Sequence, residues 1–151
     1  KKDNLGISNA AFYINNGIDL GDFSDNTYDF VFSFIVFQHI PRRHIIKNYL
    51  KEIYRVLKAR SYMQVQVRGY PGYLANGVPA YQYKGFDSFY MGLSRKKGLP
   101  VPVFCGYDTL FGAFFKEGEI ADVASKIGYR SIETFYTSGN SRYLWIRGVK
   151  Q

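Results

Sequence analysis

The sequence predicts an α/β fold: strands separated by helices in one open, largely parallel sheet that ends in an antiparallel hairpin. Three observations predict it. Residues 28–41 read as a buried strand, a short crevice-lining segment and the start of a helix. A helical face then leads to a second, alternating strand over 62–68, and strand–helix–strand order requires a crossover and therefore parallel pairing. The chain closes with a helix over 117–127 and two strands around a short polar turn, the pattern of an antiparallel hairpin.

Each element has its own residues behind it. Residues 1–9 are polar, and residues 11–14 (Ala, Phe, Tyr, Ile) read as a short strand. Asn15-Asn16-Gly17 follows, and Asn-Gly is a strong chain-reversing pair. The polar turn Ser24-Asp25-Asn26-Thr27 precedes an apolar run rich in Val and Phe that reaches Ser33, which fits a strand buried on both faces. Pro41 is expected to open the helix, where its missing N–H costs nothing. Over 41–58, Ile45, Ile46, Tyr49, Leu50, Ile53, Tyr54 and Leu57 recur at three- and four-residue steps, which is one buried helix face. Ala59-Arg60-Ser61 makes a turn without glycine, and Tyr62 to Arg68 alternates. Residues 70–107 are irregular and aromatic-rich, with Tyr70, Tyr73, Tyr81, Tyr83, Phe86, Phe89 and Tyr90 among several Pro and Gly. A stretch this long inside a compact domain is an insertion or a lid over a site, or a loop packed for stability or contact. Gly128 caps the late helix, and strands are expected over 130–136 and 143–147.

Composition bounds the alternatives. The 151 residues are enough for one domain with a single core, and 1–151 is read as one domain. Aromatics make up 19% of the chain, with 14 Tyr and 13 Phe, which points to a core and a pocket built largely from rings. Cys105 is alone, which excludes an internal disulfide and any Cys-based zinc site; no metal is expected, and a cytoplasmic setting is favoured. No apolar run is long enough to cross a bilayer as a helix, so no membrane partner is expected. The net charge of +8 is scattered, with its densest cluster at Arg95-Lys96-Lys97, and scattered charge is usually a solvated surface.

The stretch from Tyr28 to Ile40, followed by Tyr49-Leu50-Lys51-Glu52-Ile53-Tyr54-Arg55-Val56-Leu57-Lys58, resembles the class I S-adenosylmethionine (SAM) dependent methyltransferases. In that family an aromatic-Asp pair leads a hydrophobic strand to Ser, an apolar segment, and His with an aliphatic residue. The later stretch is similar to the helix and Arg-Val-Leu-Lys end that precede the family's fifth strand. The resemblance implies a Rossmann-like sheet of parallel strands with a carboxyl-terminal antiparallel hairpin. It implies SAM as methyl donor and a small-molecule acceptor. Asn16 stands where the family has an acidic residue at the end of its third strand, and an amide oxygen can accept from an adenine amino group as well. On that alignment Asn16, Gly17, Ile18, Ser33, Phe34 and Ile35 are the expected cofactor-binding residues, with Gln38, His39 and Tyr70 facing the acceptor. His39 is either a general base or a cap and crevice hydrogen-bonder. Asp29, at the strand's start, is read as structural, and Glu52 as a surface or pairing residue.

The resemblance lacks its beginning. No Gly-x-Gly occurs in the chain, although the family's first motif is a glycine-rich turn against the cofactor. Ala59-Arg60-Ser61 replaces the usual Pro-Gly-Gly turn. The expectation is therefore the carboxyl-terminal part of a methyltransferase, with the first strands missing, inactive alone and prone to pair through an exposed sheet edge. The competing reading is a non-catalytic, basic, aromatic-rich module that stacks nucleic acid or serves as a methyltransferase-like interaction domain. The Tyr-rich segment is expected to line a crevice beside Ser33 and Asn16 if the chain is the enzyme, and to form an open basic face if it is the module; the enzyme is favoured, and nucleic acid is an unlikely partner.

Overall fold

The computed structural model describes residues 8–69, 113–137 and 140–151. Along the chain come β1 (Tyr28–Ser33), a 3-10 turn (Phe37–His39), α1 (Arg43–Val56) and β2 (Leu57–Gly69). A short β3 (Phe114–Phe115), α2 (Glu117–Ile127), β4 (Arg130–Thr137) and β5 (Asn140–Val149) follow. The strands form one open sheet in the order β1-β2-β5-β4, with β3 beside the end of β2. β1 and β3 run parallel to β2, whereas β5 is antiparallel to both β2 and β4. The expected α/β sheet with its closing hairpin is the fold observed.

The side-chain alternation of the strands assigns the two faces. Val31, Met63, Val65, Val67, Leu144 and Ile146 point to one side, where α1 and α2 cover them with Ile46, Leu50, Ile53, Ile120 and Ala124. Tyr129 is fully buried in this layer and its hydroxyl donates to the carbonyl of Leu50 at 3.0 Å. Burial pushes that phenol's pKa far up, so it stays a donor at every accessible pH. Gly128 ends α2 at φ 123°, its N–H donating to Ala124 and Ser125, as a glycine cap requires. Arg43, in the first turn of α1, reaches Glu119 and the carbonyl of Phe114, tying α1 to α2 and β3.

The opposite face carries rings. Phe30 meets Tyr62 at 4.6 Å, Phe32 and Phe34 lie against Trp145 at 5.9 and 5.6 Å, and Phe135 stacks on Trp145 at 6.1 Å. Phe30, Phe32, Phe34 and Tyr62 stay exposed, so β1 is half-buried rather than enclosed on both faces as its apolar run suggested.

Three further expectations change. Residues 11–14 form no strand, and Phe12 and Ile14 are 77% and 97% exposed. A strand exists only through its neighbours, and no described strand lies beside these residues to pair their backbone. The helix begins at Arg43 instead of at Pro41 and ends at Val56, because Leu57 and Lys58 already belong to β2 and Leu57 pairs with Tyr28. The turn without glycine at 59–61 is a bulge inside β2: between the pairs Tyr28–Leu57 and Phe30–Tyr62 one strand advances two residues and the other five. Arg60 takes φ 65° there, and its N–H donates to Lys150 at 2.8 Å while Lys150 N–H donates to Ser61 at 2.8 Å. Lys150, the residue just after β5, thus supplies the partners that a tight glycine turn makes unnecessary.

Arg55 joins α1 to the segment ahead of β1. It donates to Glu52, to Asp25 and to the carbonyls of Leu20 and Phe23. The guanidinium's hydrogen bonds hold the Glu52 carboxyl below its ordinary value of 4.5. A carboxyl depressed by folding stabilises the protein above its unfolded value and loses that contribution as pH falls through the folded value. Wild-type protein is therefore expected to exceed Glu52→Gln in stability by about 1 kcal/mol near neutrality, an advantage that shrinks below the ordinary carboxyl range. Urea midpoints of both proteins across that range check it; a constant difference would show that Glu52 does not carry the linkage.

Candidate active site

The carboxyl end of β1 and the loop over 15–21 form the two walls of a crevice. The loop is built from its own side chains. Asn16 Oδ1 accepts from the N–H groups of Ile18 and Asp19 at 2.8 and 3.0 Å, and its Nδ2 donates to Asp19 Oδ1 at 2.8 Å. Asn15 Oδ1 accepts from Gly17 N–H at 2.7 Å, and Gly17 turns the chain at φ 75°, a conformation open to glycine at little cost. Hydrogen bonds from Gly21 N–H and the Asn16 side chain lower the Asp19 pKa, so this carboxylate stays charged and holds the turn. Three side chains of α1 anchor the loop: Tyr49 to Asn15, Asn48 to the carbonyl of Ile18, and Glu52 to Leu20 N–H.

A cavity of about 430 Å³ opens between these walls, a size that suits a small-molecule ligand. Asn15, Gly17, Ser33, Val36, Phe37 and Tyr49 are among its lining residues, with Leu20, Val31, Ile40 and Ile53 adding apolar floor. Ser33 Oγ is buried and has no hydrogen-bond partner among the described residues. An orphaned hydroxyl beside an apolar cavity is a polar contact in waiting.

Of the expected cofactor-binding residues, Gly17 and Ser33 line this cavity. Asn16 and Ile18 stand in the same loop behind it, and both lone-pair directions of Asn16 Oδ1 are taken by backbone amides. Phe34 instead stacks on Trp145 at the ring-bearing face, nearly parallel at 4°. Ile35 N–H donates to Gln66 Oε1 at 3.1 Å. Gln38 and His39 close the 3-10 turn after β1, with Gln38 Nε2 3.1 Å from His39 Nε2. Tyr70, and the possible lid over 70–107, lie outside the described residues. Asn15, Tyr49 and Gln66 are the polar groups that sequence reading missed. Asn15 had a signal, since an Asx turn uses the residue ahead of Asn-Gly as readily as the Asn itself.

The SAM implied by the resemblance fits one side of this site. Apolar walls, an open glycine and an unpartnered hydroxyl suit a mostly apolar ligand with a few polar contacts. Among the described residues that line the cavity there is no carboxylate. Among the described residues no group of His, Cys, Asp and Glu could hold a metal ion, and no helix is long and apolar enough to cross a membrane.

Comparison with known proteins agrees with this geometry. Residues 2–65 match the methyltransferase domain family. A SAM-dependent methyltransferase from Methanosarcina mazei superposes with a TM-score of 0.58 at 18% identity, covering 93% of this chain and 67% of that one. An O-methyltransferase family protein from Burkholderia thailandensis gives 0.61 at 12% identity, covering 99% and 39%. A SAM-dependent methyltransferase from Thermotoga maritima, described as a possible histamine N-methyltransferase, gives 0.51 at 18%, covering 91% and 62%. No curated protein matches the chain. The chain thus carries the fold of a class I SAM-dependent methyltransferase domain. It spans 39% to 67% of the length of these three structures.

Asn16→Ala removes the acceptor that organises the loop. Amide exchange at Ile18 and Asp19 is expected to quicken by the equivalent of about 1 kcal/mol, with β1 amides unchanged. Unaltered exchange at both would mean that the α1 anchors alone hold the loop.

Proposed function

We propose that this chain is the carboxyl-terminal part of a SAM-dependent methyltransferase that transfers a methyl group to a small-molecule acceptor. The observation that carries the reading is the meeting of the Asn15–Asn16–Gly17 loop and Ser33 at one cavity beyond the carboxyl end of a parallel strand. Ligands bind at such strand ends in open α/β sheets. The match over residues 2–65 spans the same two walls.

SAM supplies a methyl group on a sulfonium, a leaving group already in place. The work left to the protein is alignment and exclusion of water. Gly17 leaves room for the ligand, and the loop anchored on α1 holds that room open. Asn16 and Ile18 shape the adenine end of the site, Ser33 Oγ gives a polar contact, and Phe34 and Ile35 link the lining residues Ser33 and Val36. The family resemblance assigns Gln38, His39 and Tyr70 to the acceptor.

One observation favours the second reading, a ring-bearing module for single-stranded nucleic acid. Phe30, Phe32, Tyr62 and Phe135 form an exposed face, and Arg147 lies over the Phe135 ring at 5.7 Å. Arg147 is also paired with Glu133 at 3.1 Å, which removes much of the positive charge that phosphates need. The enzyme reading is the stronger.

Titrating SAM into the 151-residue chain and into the protein at its natural length tests it. The longer protein is expected to bind at micromolar concentration. The shorter is expected to be weaker by about 100-fold or more, since two or more polar contacts at about 1–3 kcal/mol each are lost. Alone, the short chain is expected to self-associate through the open β1 edge, read by sedimentation. Absence of binding by the long form, with binding of a single-stranded oligonucleotide, would favour the module instead.

His39→Gln, in the natural-length protein, is expected to raise the acceptor KM and to change kcat by less than about 10-fold, because the His39 ring is already engaged with the Gln38 side chain at 3.1 Å. A fall of about 100-fold in kcat with unchanged binding would instead make His39 the general base.

A further inference from the structure

Gln66 sits in the middle of β2 and is fully buried. It belongs to the ring-bearing face, where its register partner across to β5 is Trp145. An apolar side chain would fill that place under the rings without leaving polar atoms to satisfy. Instead, Gln66 Oε1 accepts from Ile35 N–H at 3.1 Å, and its Nε2 has no partner among the described residues.

Ile35 explains what the carboxamide achieves. Its φ is 60°, in the left-handed region, where a β-branched residue is a real outlier. Its side chain is 44% exposed, so side-chain packing does not enforce that conformation. Two contacts do: the Phe34 ring stacked on Trp145 at 5.6 Å, and the Ile35 amide held by Gln66. The left-handed residue lies in the bend between Ser33 and Val36, both of which line the cavity. Strain of this kind persists only where surrounding contacts over-determine it, and it gathers at ligand sites.

We propose that Gln66 is a positioning residue of the crevice: from β2 it locks Ile35 in its left-handed conformation and thereby sets the shape of the wall that runs from Ser33 to Phe37. The ligand part of this inference rests on the reading of the crevice as a SAM site; the locking of Ile35 does not.

The test uses the natural-length protein with Gln66→Met, which keeps length and apolar bulk but loses the acceptor. Two quantities are measured: amide exchange at Ile35 without ligand, and the SAM dissociation constant. Exchange at Ile35 is expected to quicken about 10-fold or more with β1 amides unchanged, and SAM affinity to fall about 10-fold. Adding Ile35→Gly to Gln66→Met is expected to bring affinity back to within about threefold of wild type, because glycine takes positive φ without strain. A purely structural role in the sheet would not be rescued in this way. Unchanged exchange at Ile35, or a double variant no better than Gln66→Met alone, overturns the proposal. Failure of the wild type to bind SAM sinks the cofactor reading instead, and the exchange arm still decides Gln66. If Gln66→Met does not fold, Gln66→Leu, also apolar and without an acceptor, takes its place with the same expected quickening at Ile35; unchanged exchange there overturns the proposal.

Discussion

The structure hangs on the hydrogen bonds of one guanidinium. Arg55 lies in the last turn of α1, where positive charge already complements the helix dipole. Its donors reach Glu52 on α1 itself and, in the segment that leads into β1, the Asp25 carboxylate and the carbonyls of Leu20 and Phe23. Directly behind it, the carbonyls of Arg55 and Val56 accept from Asn26 and Thr27 N–H, and Lys150 Nζ reaches Asn26 and the carbonyl of Leu57. One corner therefore gathers the entry to β1, the end of α1, the start of β2 and the end of β5. Helix and strand join there without a linker, so a fixed corner is what aligns the parallel pair. A planar fork with five donors suits that task, and lysine would not replace it.

From that corner the two faces follow. Because β2 starts at once, Leu57 is buried, and the bulge at 59–61 absorbs the extra length before regular pairing resumes at Tyr62. Every second residue from there enters the helix-covered core, and the intervening ones face the rings. The bulge also brings the end of β5 into partnership with β2, which fixes the register of the hairpin.

Much of this was legible in the residues. The three- and four-step apolar spacing placed α1, Gly128 placed the end of α2, and the short polar turn placed the hairpin. Each of these signals is local, and local physics decides it. The errors came where a partner decides. Residues 11–14 have strand-like composition, but strand formation needs a neighbour. Pro41 suits a first helical turn, yet the chain waits two residues to begin it. At the site, the loop and Ser33 were readable from spacing and family pattern. Gln66 was not, because Met63-Gln64-Val65-Gln66-Val67 is the ordinary alternation of a half-covered strand, and only the three-dimensional placement shows one of its two glutamines sealed from water. Nor does any residue type announce a left-handed Ile35, since sequence preference argues against it.

The two walls of the crevice are held by different means, and the difference bears on how such a site works. The 15–21 wall is relaxed: a glycine at positive φ, side chains that satisfy their own backbone, and anchors from a rigid helix. The Ser33 wall is kept in an unfavourable conformation by contacts from a neighbouring strand and a tryptophan on another. A relaxed wall keeps its shape whether or not a ligand is present. A strained wall keeps its shape only while its holding contacts persist, so its conformational equilibrium is the one a ligand can shift. The ring face and the crevice are coupled through Phe34 and Gln66, which belong to the first and shape the second.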